Sequence, residues 1–117
     1  MNDLINLFKV LSDETRMRIL ILLYHKTLCV CQMQVVLEET QPKISKHLGK
    51  LRDMGFVKYK RQEQLVYYYL DETNSVLIDI LQKIVLNMKD DPIIIKDLEK
   101  LDKVDEFLKV QMFQLKS

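Results

Sequence analysis

Glycine, proline and cysteine each occur only twice in these 117 residues, and each scarcity excludes something. Two glycines (Gly49, Gly55) and two prolines (Pro42, Pro92) are too few to punctuate the short strands of a sandwich or barrel, so long helices are expected. No stretch approaches the roughly 18 apolar residues of a membrane span. The start, Met1-Asn2-Asp3, lacks the basic-then-apolar layout of a signal peptide. The expectation is a soluble, cytoplasmic protein with no membrane partner. In that reducing setting the two cysteines are expected as thiols, not as a structural disulfide. A glycine-rich phosphate loop, a nucleophile–base pair and paired acids with an evident role are all missing, so nothing points to an enzyme.

What is present suffices for one small domain with a core, since 48% of the residues are apolar. The formal net charge of +1 hides a segregation. From Lys43 to Arg61 there are seven basic residues against Asp53 alone, and from Asp90 to Glu106 seven acids against three lysines. A basic stripe in the middle is thus balanced by an acidic stretch near the end. The plainest account of such a stripe is a solvated helix face.

Hydrophobic spacing gives the elements in order. Asn2 or Asp3 can cap a first helix with Leu4, Leu7, Phe8 and Leu11 on one face. Ser12 caps a second, with Asp13 and Glu14 in its first turn and Met17 and Ile19 to Leu23 apolar nearly all round, so it is expected to be central. Leu28-Cys29-Val30 reads as a short extended segment, and a third helix runs from about Cys31 to Glu38 with Met33, Val36 and Leu37 inward. Thr40 caps a fourth, Pro42 sits in its first turn, and Ile44, Leu48 and Leu51 form its buried stripe. Gly55 follows where a left-handed residue ends the helix.

The period then switches to two. Phe56 to Arg61 and Leu65 to Leu70 flank a polar Gln62-Glu63-Gln64 tip and predict a β-hairpin. Tyr67, Tyr68 and Tyr69 alternate across the second strand, so one or two pack on the core. A helix opened by Asn74 or Ser75 follows, through Val76, Leu77, Ile80, Leu81, Ile84, Val85 and Met88. After Pro92 a last helix carries the stripe Ile94, Leu98, Leu101, Val104, Leu108, Met112 and Leu115. Residues 1–89 are read as a winged helix-turn-helix DNA-binding and dimerisation unit, and 90–117 as a helical extension of the same domain.

Helix, short turn, helix and basic hairpin is the layout of a winged helix-turn-helix, mainly α with a small hairpin. The fourth helix has an apolar back and donors in front, the combination a helix entering the major groove of operator DNA needs. Gln41, Lys43, Ser45, Lys46, His47 and Lys50 are the candidate DNA contacts on it. Lys58, Lys60 and Arg61 on the hairpin are candidate phosphate contacts. His47 reads as a DNA contact rather than a metal ligand, because no other ligand type lies nearby in sequence.

Cys29-Val30-Cys31 holds both cysteines. Two thiols one residue apart suit a soft, thiophilic ion, without the imidazole and carboxylate company zinc usually keeps. In a regular helix positions i and i+2 lie about 200° apart, whereas in extended chain they point the same way. A shared ion is therefore expected to demand extended or unwound backbone at the start of the third helix, and so to distort the DNA-reading unit. The plain alternative is that both cysteines are small buried hydrophobes. A redox switch is a further one, opposed by the strain of bridging i to i+2.

The chain resembles the ArsR (ArsR/SmtB) family of metalloregulatory repressors. The stretches that carry the likeness are Leu11 to Arg16, Arg18-Ile19-Leu20, Leu28-Cys29-Val30-Cys31, Gln41 to Leu48 and Leu51 to Val57, in family order over about residues 4–89. The resemblance implies a homodimer built through the first helix and the helix after the wing, on a twofold operator released by metal or metalloid. The Cys-Val-Cys resembles the arsenic-sensing branch, which implies As(III) or Sb(III) as inducer at Cys29 and Cys31, with no cofactor for DNA binding. Many of that branch carry another cysteine where this chain has Gln34, so a two-thiol site is implied. The other soft-metal possibilities (Cd, Pb, Bi) and thiol oxidation are the alternatives. The cadmium/lead branch adds N-terminal cysteines, and the zinc branch places histidines after the wing; neither feature is present in this sequence.

Overall fold

The computed structural model describes residues 1–116, and of 107–116 the backbone alone. The order is α1 (Asn2–Leu11), α2 (Glu14–His25), β1 (Leu28–Cys29), α3 (Val30–Leu37), α4 (Gln41–Asp53), β2 (Val57–Gln62), β3 (Leu65–Leu70), α5 (Ser75–Asn87) and α6 (Pro92–Lys116). The architecture is the expected winged helix-turn-helix: mostly helical, with one small antiparallel sheet. No helix among the described residues is long and apolar enough to cross a membrane.

α2 is the hub. Ile19, Leu20, Ile21, Leu22 and Leu23 are all buried, so this helix is covered on every side. Its N-cap is Asp13, not Ser12: the Asp13 carboxylate accepts from the Arg16 N–H at 3.0 Å. Ser12 instead ends α1. Neither Asn2 nor Asp3 caps α1, which starts at Asn2 with Met1 as its N-cap. The α1 stripe also divides: Leu7, Val10 and Leu11 are buried, while Leu4, Ile5 and Phe8 stay exposed.

α3 and α4 form the helix-turn-helix, joined through Glu38, which adopts the left-handed φ of 55°. Ile44, Leu48 and Leu51 are fully buried and fix α4 on its apolar back, each contributing about 1.5–3 kcal/mol of burial. Two bonds close the C-terminus of α4: Gly55 N–H donates to Arg52 O and Phe56 N–H to Leu51 O, each 3.0 Å. That Schellman pattern needs a left-handed residue, which Gly55 supplies with φ 81°. The chain is thereby aimed straight into β2.

β2 and β3 pair from Val57↔Leu70 to Gln62↔Leu65, leaving Glu63-Gln64 as the turn. Gln62 thus belongs to the strand, and Glu63 takes a φ of 59° to close the loop. The sheet has a third strand: β1 pairs antiparallel with β3 through Leu28↔Tyr68 and Cys29↔Tyr67. Of the tyrosines, Tyr68 packs against the core.

Asn74 caps α5, its Oδ1 accepting from Leu77 N–H at 3.1 Å. Leu77 and Leu81 are buried, whereas Val76 and Met88 are exposed, against the expected stripe. α6 lies against α3 and α2, with Leu101 and Val104 buried. Leu108, Met112 and Leu115 fall outside the described side chains.

Candidate functional site

Cys29 and Cys31 straddle a helix boundary. Cys29 closes β1 with φ −89° and ψ 168° and serves as the N-cap of α3, which begins at Val30 and not at Cys31. Only the first thiol therefore stands on extended chain; the second is in the first helical turn. An N-cap side chain folds back over that turn, and the two sulfurs meet at 2.7 Å, both cysteines free. The extended backbone expected at the start of the third helix is present, at Cys29. Two thiols at i and i+2 converge on one point with α3 intact from Val30, because one extended residue is enough.

Cys29 is buried and Cys31 half-buried. Burial, and the hydrogen bond and charge of Cys29, push the Cys31 thiol up to about 11. Among the described residues, no third histidine, cysteine, aspartate or glutamate joins the pair into a metal cluster. Gln34, half-buried, lies one turn further along α3.

Gln32 was missed by sequence reasoning. Its Oε1 accepts from the Cys29 N–H at 2.9 Å, and its Nε2 donates to Asp105 Oδ1 at 3.0 Å. The signal was present, since a glutamine three residues after an N-cap completes a capping box. Cysteine is not an expected cap, which hid it.

The candidate DNA residues divide by availability. Gln41, Lys43, Lys46 and Lys50 are exposed on α4, and Ser45 and His47 half-buried. Gln41 Nε2 donates to Ser45 Oγ at 2.8 Å. Lys43 is paired with Glu39 at 2.9 Å, an i,i+4 neighbour that the sequence displayed. Burial pushes the His47 imidazole below its ordinary value, and Arg16, Lys43 and Lys46 add to that against the pull of Asp13. Its surroundings thus favour the neutral ring, which both donates and accepts.

On the hairpin, Lys58 and Lys60 share one face with their partners Tyr69 and Tyr67. Arg61 lies on the other with Tyr59, so the structure does not bring the three cations together. Lys58 faces Asp71 at 3.7 Å, and Lys60 sits 5.9 Å from the Tyr69 ring centroid. Arg52, absent from the candidate contacts, stacks 5.5 Å over Tyr59 at the root of the wing.

Residues 13–59 match a family model described as bacterial regulatory protein, arsR family. The arsenic resistance transcriptional regulator ArsR2 of Pseudomonas putida is 46% identical over 79 residues, 66% of this chain and 69% of that protein. The arsenical resistance operon repressor of Escherichia coli K12 is 46% identical over 67 residues, 56% of this chain and 57% of its own length. The chain thus covers under two thirds of the second relative. Among solved structures, reduced HlyU from Vibrio cholerae superposes with a TM-score of 0.67 at 27% identity, over 72% of this chain and 86% of that one.

Proposed function

This chain belongs to the ArsR family of bacterial regulatory proteins, and from that premise we propose that it is a homodimeric repressor released from operator DNA by trivalent arsenic or antimony. It is a DNA-binding transcriptional regulator and not an enzyme. The inducer and the residues that meet it are our reading. The observation that carries it is the 2.7 Å approach of Cys29 and Cys31 sulfurs at the N-terminus of the first helix of the helix-turn-helix.

The Cys31 thiol favours a metalloid hydroxide over a bare divalent cation. Cys31 is held protonated at neutral pH. A divalent cation must drive that proton into solution. With arsenous acid each thiol instead hands its proton to a departing hydroxide, which leaves as water. Two S–As bonds form as two As–O bonds break, and nothing is oxidised. Soft sulfur donors suit that ligand, and neither histidine of the chain stands beside the pair in sequence.

Release follows from where Cys29 sits. It pairs with Tyr67 in the wing, caps α3, and gives its N–H to Gln32. A ligand that draws the two sulfurs into a fixed geometry shifts this one residue, and the wing and α3 share it. The difference in how well the two arrangements fit DNA is the coupling free energy. Gln41, Lys43, Ser45, Lys46, His47 and Lys50 are proposed to face the major groove, and Lys58, Lys60 and Arg61 the phosphates. Exposed Leu4, Ile5 and Phe8 on α1, with Val76 and Leu86 on α5, support a homodimer through those two helices.

The test replaces both cysteines with serine and follows labelled operator by fluorescence anisotropy while arsenite, antimonite, cadmium and zinc are titrated. Operator affinity is expected to stay and release by arsenite and antimonite to vanish. Continued release from the double variant would sink the reading. The same 2.7 Å contact favours one second reading, oxidation by peroxide to a Cys29–Cys31 disulfide. In that step each thiol loses a proton, and two electrons reduce the peroxide to water. Release by peroxide but not by phenylarsine oxide would select it.

A further inference from the structure

We propose that Gln32 is a positioning residue of the thiol site and that α6, tied to Gln32 through Asp105, carries the state of that site to the turn of the helix-turn-helix. The proposal rests on the reading that Cys29 and Cys31 take the inducer. Its own observation is a chain of bonds that leaves the site at Cys29 and returns to the DNA-reading unit at Glu38.

Gln32 is buried, 8% exposed, and its carboxamide is used at both ends. Oε1 holds the Cys29 N–H at 2.9 Å and Nε2 holds Asp105 at 3.0 Å. A buried amide satisfied at both ends has one orientation, and moving either partner leaves a polar group unpaired. Asp105 is itself steadied by Lys26 Nζ at 3.1 Å, from the segment between α2 and β1.

Further back along α6, Lys100 Nζ reaches Glu38 Oε1 at 2.7 Å, and Lys96 lies 4.0 Å from the same carboxylate. Glu38 is the left-handed residue that ends α3 and turns the chain toward α4. α6 therefore runs antiparallel to α3 and grips it at both ends. The two grips stand six positions apart from Gln32 to Glu38, about 9 Å of helix rise, and five apart from Lys100 to Asp105, about 7.5 Å. Leu101 and Val104 pack between the two grips. Below them Asp97 is 3% exposed and fixed to Arg18 of α2 by two 2.8 Å bonds.

A ligand closing on Cys29 and Cys31 shifts the Cys29 N–H that Gln32 holds. Gln32 then loosens its bond to Asp105, and the helix that splints the turn at Glu38 slackens. By reciprocity, loosening α6 disturbs the cap at Cys29 with no ligand present.

That reciprocity makes the test independent of any inducer. Amide hydrogen exchange is measured on the full chain and on Asp105→Ala and Asp105→Asn. Residue 105 is exposed, and Asn keeps an oxygen for the Gln32 Nε2 donor. Without ligand, the Cys29 amide is expected to exchange about fivefold faster or more in Asp105→Ala and to recover in Asp105→Asn. Equal exchange in all three proteins overturns the link. With arsenite, exchange within residues 97–106 is expected to rise in the unaltered protein. The ratio of operator Kd with and without arsenite is expected to fall about fivefold or more in Asp105→Ala and in Gln32→Glu. Thiol occupancy without a change in either quantity overturns the transmission through α6. Operator that arsenite fails to release from the unaltered protein, with the ligand-free exchange as expected, overturns the inducer reading and leaves the Gln32 link supported.

Discussion

Burial and its neighbour Cys29 hold the Cys31 thiol up at about 11, and that sets two dependences on pH. Cadmium must displace the Cys31 proton, so its affinity is expected to climb about tenfold for each pH unit and each proton between pH 6 and 8. Arsenous acid carries the proton off as water, so its affinity is expected to stay nearly level over the same range. Isothermal titration at three pH values separates the two. For folding the sign is opposite. The native thiol keeps its proton at a pH where the unfolded one, near 9.0, has lost it. The contribution is therefore fully present below pH 9 and is lost as pH rises toward 11. The pair itself was plain in the sequence. Gln32 was not, because its roles depend on a cap made by cysteine and on a partner 73 residues away.

At the scale of the element, α4 and the wing show why a charge count overstates a binding face. Lys43 is spent on Glu39 and Lys58 on Asp71, and the Lys43 ion pair holds the Glu39 carboxyl below its ordinary range. Exposed pairs of this kind are worth about 0.2–1 kcal/mol, so DNA can break them, at a cost to its affinity. Lys46→Ala and Lys50→Ala are expected to weaken operator binding and to reduce the salt slope by about 0.9 for each phosphate that is no longer neutralised. Lys43→Ala is expected to cost less than Lys46→Ala, since its charge is already half answered. Anisotropy titrations at several salt concentrations read both. Unchanged slopes for Lys46→Ala and Lys50→Ala would remove these lysines from the interface. The existence of every helix was legible from its hydrophobic period, while the caps of α1, α2 and α3 were not. The division of the α1 and α5 stripes was not, because an apolar residue can face its own core or another molecule with the same spacing.

For the whole molecule, the acidic stretch near the end is only in part a free face. Asp97 bonds Arg18 of α2 and Asp105 bonds Gln32 of α3, so these two dock α6, while Asp90, Glu99, Asp102 and Glu106 stay exposed. The Arg18–Asp97 pair is the costly member: Asp97 is buried, and its bidentate bond raises the Arg18 guanidinium still further above its ordinary value. Arg18→Ala strands a buried carboxylate and is expected to lower unfolding stability by about 3–5 kcal/mol in a urea titration. A loss below about 1 kcal/mol would mean that α6 is not anchored by this pair.

The order of the elements, the apolar back and basic front of α4, the hairpin after Gly55 and the adjacency of two soft thiols were determined by the sequence itself. Each rests on spacing within a few residues, where period, caps and turn residues act. Tertiary structure alone decided that the sulfurs converge without unwinding α3, since the extended Cys29 is held by strand pairing to Tyr67. It also decided what α6 grips, through contacts 73 and 79 residues apart along the chain. Partners that distant leave no mark on local spacing, so only the packed chain could reveal them.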